Sequence, residues 1–328
     1  MDISVKDGLV TVRRGKNWII FDENRALEVL NLAVSAWHGK YKHLINCDQP
    51  ELVHLPAGFE YGSRMHGLYL FSYGSLNRYG EKTNVAIGEG SNIFNQHPWL
   101  IDPLLKYNED LAGQKLGPVL AFTSAKTEGG KKEKNEKLIG WKFNLDLLRK
   151  DYDSDARNIF YQSSRNRAGL IKELSRFYGY GQKVAQLVAL YFQDVEWQDH
   201  LNDWKDLKQI AVAPVDLWIA REMRNFNILI EWSTDKKNTA SYIVSDFLVY
   251  MFNRYNLSWF EALQSLWHTG ANICFKVSKL EQKAACHCLT LCPFHDYCVQ
   301  RAGGSHQRNK GGFGWGNSRE RSKNLFYQ

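Results

Sequence analysis

Gly179-Tyr180-Gly181 constrains this chain more than any other stretch. Two glycines around one residue let the backbone turn where side chains would clash. Apolar residues at helical spacing precede it (Leu170, Ile171, Leu174, Phe177) and follow it (Val184, Leu187, Val188, Tyr191, Phe192). The spacing predicts two helices joined by a tight corner, a helix-hairpin-helix. Amide N–H groups exposed at such a corner suit one anion, and a DNA phosphate is the natural one. Gly179, Tyr180, Gly181 and Gln182 are the expected DNA-binding residues, and Lys183 sits just inside the second helix. Further along, Ala213-Pro214-Val215-Asp216 leads into Leu217-Trp218-Ile219-Ala220-Arg221, where Asp216 reads as an N-cap at the positive end of that helix.

One lysine and one carboxylate near such a corner suggest a definite chemistry. A neutral amine can attack the anomeric carbon of a nucleotide, expel the base and hold the sugar as a Schiff base. A carboxylate can take the ammonium proton and stabilise positive charge developing on the sugar. Each residue also has an ordinary explanation, a solvated charge for Lys183 and a helix cap for Asp216.

Together, Gly179, Gly181, Lys183 and Ala185 (Gly-x-Gly-x-Lys-x-Ala), followed by Pro214-Val215-Asp216, resemble the helix-hairpin-helix DNA glycosylases of base excision repair. That group contains endonuclease III, adenine glycosylase and the 8-oxoguanine glycosylases. The resemblance covers 62–298. It implies a mainly α fold of two helical lobes with a cleft between them. It makes Lys183 the Schiff-base nucleophile and Asp216 the catalytic carboxylate. The implied partner is double-stranded DNA carrying a damaged or modified base, bent so that the target nucleotide turns out of the stack. The step from Lys183 to Asp216 is longer than the family's usual one. The excess, 194–209, is rich in charge and Trp, and resembles the extra helix of the archaeal 8-oxoguanine glycosylases. It leans toward oxidised purines. A monofunctional enzyme acting on a bulky hypermodified base of phage DNA is the alternative, and a non-catalytic nucleic-acid-binding protein with a zinc knot is the rival from another class.

Six cysteines are unevenly placed: Cys47 stands alone and five crowd between Cys274 and Cys298. In a reducing compartment such a cluster reads as a metal site. Four thiolates can hold an iron–sulfur cluster or tetrahedral zinc, and spacing alone does not choose. The resemblance does choose. In endonuclease III and adenine glycosylase, Gly-x-x-x-Cys at a helix end opens a loop of spacing Cys-x6-Cys-x2-Cys-x5-Cys holding a [4Fe–4S] cluster. Gly270 to Cys274 matches the opening and Cys292 to Cys298 the closing pair. The first gap is longer here, and three residues separate Cys288 from Cys292. The implied ligands are Cys274, Cys288, Cys292 and Cys298, with Cys286 as the alternative, around a structural [4Fe–4S] cluster or, failing that, zinc. His287 and His295 read as bystanders.

The 42 Lys and Arg against 35 Asp and Glu give a net charge of +7, which fits a polyanionic partner. No stretch approaches the ~18 uncharged apolar residues of a membrane span, and the acidic start is unlike a secretory signal. The expectation is a cytoplasmic, nucleoid-associated monomer. Alternating residues at 9–12 and 18–21, around Arg14-Gly15-Lys16-Asn17, predict a small β-hairpin, and Asp22 the cap of a following helix. Helical patterns are expected at 65–76, 99–107, 111–122, 138–150, 155–163, 240–255 and 258–268. Segment 86–95, with Gly88 and Gly90, reads as an irregular connection, and 123–137 as a soluble loop. Gly88-x-Gly90 lacks the Lys-Ser/Thr ending and preceding strand of a nucleotide-binding loop. The expected division is 1–60 (hairpin and helix), 61–273 (glycosylase core), 274–298 (cluster loop) and 299–328, a basic Gly-rich flexible tail.

Overall fold

The computed structural model describes residues 1–39, 56, 58–60, 62–76, 81–122, 128–163, 166–192, 210–215, 217–234, 237–270 and 292–298. These are mainly helical, with a small N-terminal antiparallel sheet of four strands. The chain groups into two compact units: Met1–Cys47 with Val215–Gln328, and Asp48–Pro214. The N-terminal strands and the first helix therefore share a unit with the C-terminal helices.

In the first unit the strands run β1 (Asp2–Lys6), β2 (Leu9–Arg14), β3 (Asn17–Asp22) and β4 (Leu229–Ser233), in that order and all antiparallel. The expected hairpin is β2–β3, closed by the Arg14–Asn17 pair with Gly15 at φ +60°. Its alternation buries Val10, Val12, Ile19 and Phe21. Phe21 stacks on Phe247 of α11 (Lys237–Tyr255), and Arg14 pairs with buried Asp246 at 2.6 Å. Asp22 caps α1 (Glu23–His38), accepting from the Arg25 amide at 2.9 Å. Helix α1 packs on α12 (Trp259–His268), as does α10 (Leu217–Asn225).

In the second unit, α2 (Arg64–Leu76) is buried around most of its circumference and packs against α3 (Glu81–Gln96). Further α-helices among the described residues are α4 (Glu109–Lys115), α5 (Gly117–Phe122), α6 (Glu128–Asp151), α7 (Asn158–Gln162), α8 (Arg167–Leu174) and α9 (Gln182–Tyr191).

Three expectations change. Residues 86–95 lie in α3, because a side chain at Gly90 would come within 2.6 Å of Leu76 Cδ1; glycine there serves helix contact. Residues 128–137, expected as loop, begin α6: Gly129 and Gly130 fall in its first turn, and the Lys- and Glu-rich run that follows favours helix. Residues 99–107 hold one 3-10 turn (Pro98–Leu100) followed by turns, since Pro103 disfavours helical backbone at Asp102. Residues 194–209 and the tail from 299 lie outside the described residues. Among the described residues, no helix is long and apolar enough to cross a membrane.

Candidate active site

The glycine corner joins α8 to α9. Asn166 caps α8 through its side chain, accepting from the Gly169 amide at 2.8 Å. The chain then turns at 175–181, with the Tyr180 amide bonded to the Phe177 carbonyl at 3.2 Å. Gly179 takes φ +85°, a conformation that L side chains rarely adopt. Gly181 is the N-cap of α9 and supplies no side-chain cap. The first helical bond runs from the Ala185 amide to the Gly181 carbonyl at 2.9 Å, so the amides of Gln182, Lys183 and Val184 precede it. Lys183 is exposed and makes no ion pair among the described residues.

Alternate residues of the turn point in opposite directions. Tyr180 is 2 % exposed and stacks on Phe71 of α2, ring centroids 4.9 Å apart. Its hydroxyl donates to the Phe71 carbonyl, and burial holds the phenol well above its ordinary pKa. Gly74 of α2 makes room for this ring: a Cβ there would lie 2.7 Å from Tyr180 Cε1 and Cζ and from Val188 Cγ2. Tyr178 is 41 % exposed, yet its backbone is fixed. Asn144 of α6 accepts from the Tyr178 amide at 2.7 Å and donates to its carbonyl at 3.2 Å. The Tyr178 ring lies over Gly140, where a Cβ would fall 1.9 Å from Tyr178 Cδ1. The turn is therefore seated on α2 by one tyrosine and on α6 by another.

One turn beyond Lys183, buried Gln186 holds a second junction. Its Oε1 accepts from Arg167 Nε (3.2 Å) and Nη2 (2.9 Å) and from the Ala213 amide (3.1 Å). All three of these groups are donors, consistent with the amide oxygen facing them. Residues 210–214 are buried alongside. Asp216 itself lies outside the described residues, as do Cys47, Cys274, Cys286 and Cys288.

The two described cysteines close a tight loop. Cys292 is buried; its carbonyl accepts from the His295 amide, and the Cys298 amide bonds the His295 carbonyl. Burial pushes the Cys292 thiol up to about 12; the Phe294 backbone opposes the rise, and the Glu222 and Cys298 charges add to it. Such a thiol ionises near neutral pH only beside a cation. Phe294 anchors the loop against Phe226, with centroids 5.0 Å apart. The Arg25 guanidinium lies over the Tyr297 ring and donates to the Tyr297 and Phe226 carbonyls. Among the described residues, no group of three or more His, Cys, Asp or Glu side chains could hold a metal ion.

Sequence patterns missed Gln186, Asn144 and Gly74. The available signal was a polar residue inside an apolar helical stripe: Gln186 between Ala185 and Val188, Asn144 between Trp141 and Leu145. No family model, no curated protein and no solved structure matches the chain.

Proposed function

We propose that the chain is a DNA glycosylase of the helix-hairpin-helix kind, acting as a monomer on double-stranded DNA that carries a damaged or modified base. The observation that carries this reading is the 175–183 corner: Gly179 at positive φ, Tyr180 turned inward, an uncapped start to α9 and an exposed Lys183 in its first turn. Free amides at a helix start receive a phosphate, and the positive end of the helix favours it. Gly179 and Gly181 leave that approach open, as a Cβ at either would meet nothing within 4 Å.

In the reaction, the target nucleotide leaves the base stack. Asp216 accepts a proton from the Lys183 ammonium, and the freed amine forms a bond to C1′ as the bond from C1′ to the base breaks. The base leaves with that electron pair and takes up a proton. The nitrogen then loses a proton and its electron pair forms the C1′=N bond as the C1′–O4′ bond breaks, and O4′ takes up a proton as the ring opens. The resulting Schiff base permits β-elimination: a C2′ proton is removed and the C3′–O bond breaks, its electron pair leaving with the phosphate oxygen and cutting the strand. Cys274, Cys288, Cys292 and Cys298 would hold a [4Fe–4S] cluster, with Cys286 as the substitute ligand. When bound, the cluster shapes a loop beside the DNA backbone and takes no part in the chemistry. Such an enzyme works in the cytoplasm, at the nucleoid.

Borohydride trapping tests the assignment. On an abasic-site duplex the wild type is expected to form a covalent adduct that K183A does not form. Base release across a panel of duplexes, from 8-oxoguanine to glucosylated cytosine, is measured beside it with D216N. Release without an adduct identifies a monofunctional enzyme. D216N releasing base as fast as the wild type refutes the catalytic assignment, and neither adduct nor release leaves a nucleic-acid-binding protein. Brown protein containing iron supports the cluster; colourless protein containing zinc replaces it.

A further inference from the structure

Three exposed apolar side chains gather beside the glycine corner, all within the unit Asp48–Pro214. Ile139 and Phe143 on α6 are 71 % and 49 % exposed, and Tyr178 is 41 % exposed. Ile139 and Phe143 stand four residues apart, on one side of the helix and on neighbouring turns. Tyr178 joins them from the corner, its ring lying over Gly140, and a long helical side chain such as Phe143 leans back over that same turn. Gly179 and Gly181 follow Tyr178 directly, so the patch runs into the start of α9 and Lys183.

Holding the Tyr178 ring there costs the fold stability. Gly140 lies inside α6, where glycine is a poor helix former, and any Cβ in its place would overlap the ring. Buried Asn144 commits both ends of its amide to the Tyr178 backbone, at 2.7 and 3.2 Å. Packing alone would bury a ring held so closely; this one is fixed and still faces water. An exposed apolar patch of this kind marks an interaction surface. Its neighbour identifies the occupant. The adjoining helix start offers open amides and the positive end of the helix, so whatever covers the surface is apolar at one place and anionic at the next. A DNA strand has that alternation, deoxyribose carbons between phosphates.

We propose that Tyr178 and Phe143 form an apolar seat for the deoxyribose next to the phosphate received at the start of α9. This rests on the glycosylase reading and adds to it a contact that is indifferent to base identity. A phosphate contact releases counterions and weakens with salt, whereas a ring against sugar carbons releases none.

The test measures fluorescence anisotropy on an abasic-site duplex for full-length wild type, Y178A, Y178F and F143A, over a series of salt concentrations. Hydrogen exchange at the Tyr178 amide reports whether the corner keeps its place. Y178A is expected to bind about tenfold more weakly and F143A about fivefold, each with the wild-type slope of log affinity against log salt. Y178F keeps the ring and is expected to bind as the wild type does. Where Y178A speeds the exchange, F143A decides alone. Wild-type affinity in both alanine variants overturns the seat while leaving the excision chemistry standing. So does Y178F binding as weakly as Y178A, because it assigns the contact to the hydroxyl. A shallower salt slope in F143A marks a lost phosphate contact and overturns the seat too. A wild type that sediments as a dimer, dissociated by F143A, gives the patch to a second copy of the chain instead. A wild type that binds no duplex and releases no base removes the glycosylase reading, and the seat falls with it.

Discussion

Two glycines two residues apart should respond differently to the same methyl group. Gly179 has φ +85°, and a Cβ added to it meets nothing within 4 Å, so any penalty comes from the backbone alone. An L residue at positive φ costs about 1–2 kcal/mol, offset by about 0.4–1 kcal/mol of entropy removed from the unfolded chain. G179A is therefore expected to lose about 1 kcal/mol, a fall in Tm of about 2–4 °C for a unit of this size. Gly181 has φ −67° and ψ 170°, extended backbone open to any residue, and its Cβ also meets nothing. Alanine is a poorer N-cap than glycine by roughly 0.5–1 kcal/mol, which the same unfolded-state term of about that size cancels. G181A should keep wild-type stability. Its methyl group nevertheless sits where a phosphate would approach the first amides of α9. Losing one hydrogen bond to a charged oxygen, about 1.5–3 kcal/mol, weakens binding by about tenfold or more. Urea unfolding followed by circular dichroism, and fluorescence anisotropy on an abasic-site duplex, read the two effects separately. Equal destabilisation by both variants refutes the backbone argument. Wild-type affinity in G181A refutes the placement of the phosphate.

G74A adds a methyl group 2.7 Å from the Tyr180 ring and Val188, so overpacking of about 1–3 kcal/mol outweighs the ~1 kcal/mol helix gain; a raised urea midpoint would contradict this. N144A removes both bonds to the Tyr178 backbone and should lower stability by about 1–2 kcal/mol, with faster exchange at the Tyr178 amide as the local sign. Burial lowers His66 to about 3 and His268 to about 4, so both stay neutral in the folded protein while the unfolded chain takes up protons from about 6.5 downward. Stability should thus be complete above about pH 6.5 and fall by about 1.4 kcal/mol per pH unit for each imidazole as pH drops toward those values. In urea titrations between pH 7 and 4.5, H66Q should be less acid-sensitive than the wild type, and an unchanged slope would count against His66.

The parts of the fold legible in sequence are those where one residue's backbone or one local period carries the information. Asp22 announced its cap, Val10, Val12, Ile19 and Phe21 announced a hairpin with one buried face, and Gly179 announced a turn. Strand β1 was silent because four of its five residues are exposed and its pairing is a matter of main-chain bonds. Strand β4 was silent for another reason: its partner β3 lies some two hundred residues earlier, and no local pattern encodes that distance. Glycine itself was ambiguous. Gly179 is there for a dihedral angle, whereas Gly74 and Gly90 are there because a neighbouring side chain occupies the space of a Cβ.

The same division runs through the candidate site. Gly179, Gly181 and Lys183 could be read because what they offer belongs to each residue: a permitted φ, an open amide, a primary amine. Gln186 and Asn144 could not, because an amide acquires meaning only from the groups it reaches. For Gln186 these lie 19 residues before it and 27 after it; for Asn144, 34 after it. Both sit in helices where an aliphatic side chain would serve the packing as well, and a buried amide without partners is costly. An amide retained there is accounted for by what it holds. Asn144 holds the corner on α6, and Gln186 holds Ala213 and the first residue of α8 on α9. The groups proposed to carry chemistry stand out in the chain by residue type, and the groups that fix the backbone of the corner became visible only in the fold.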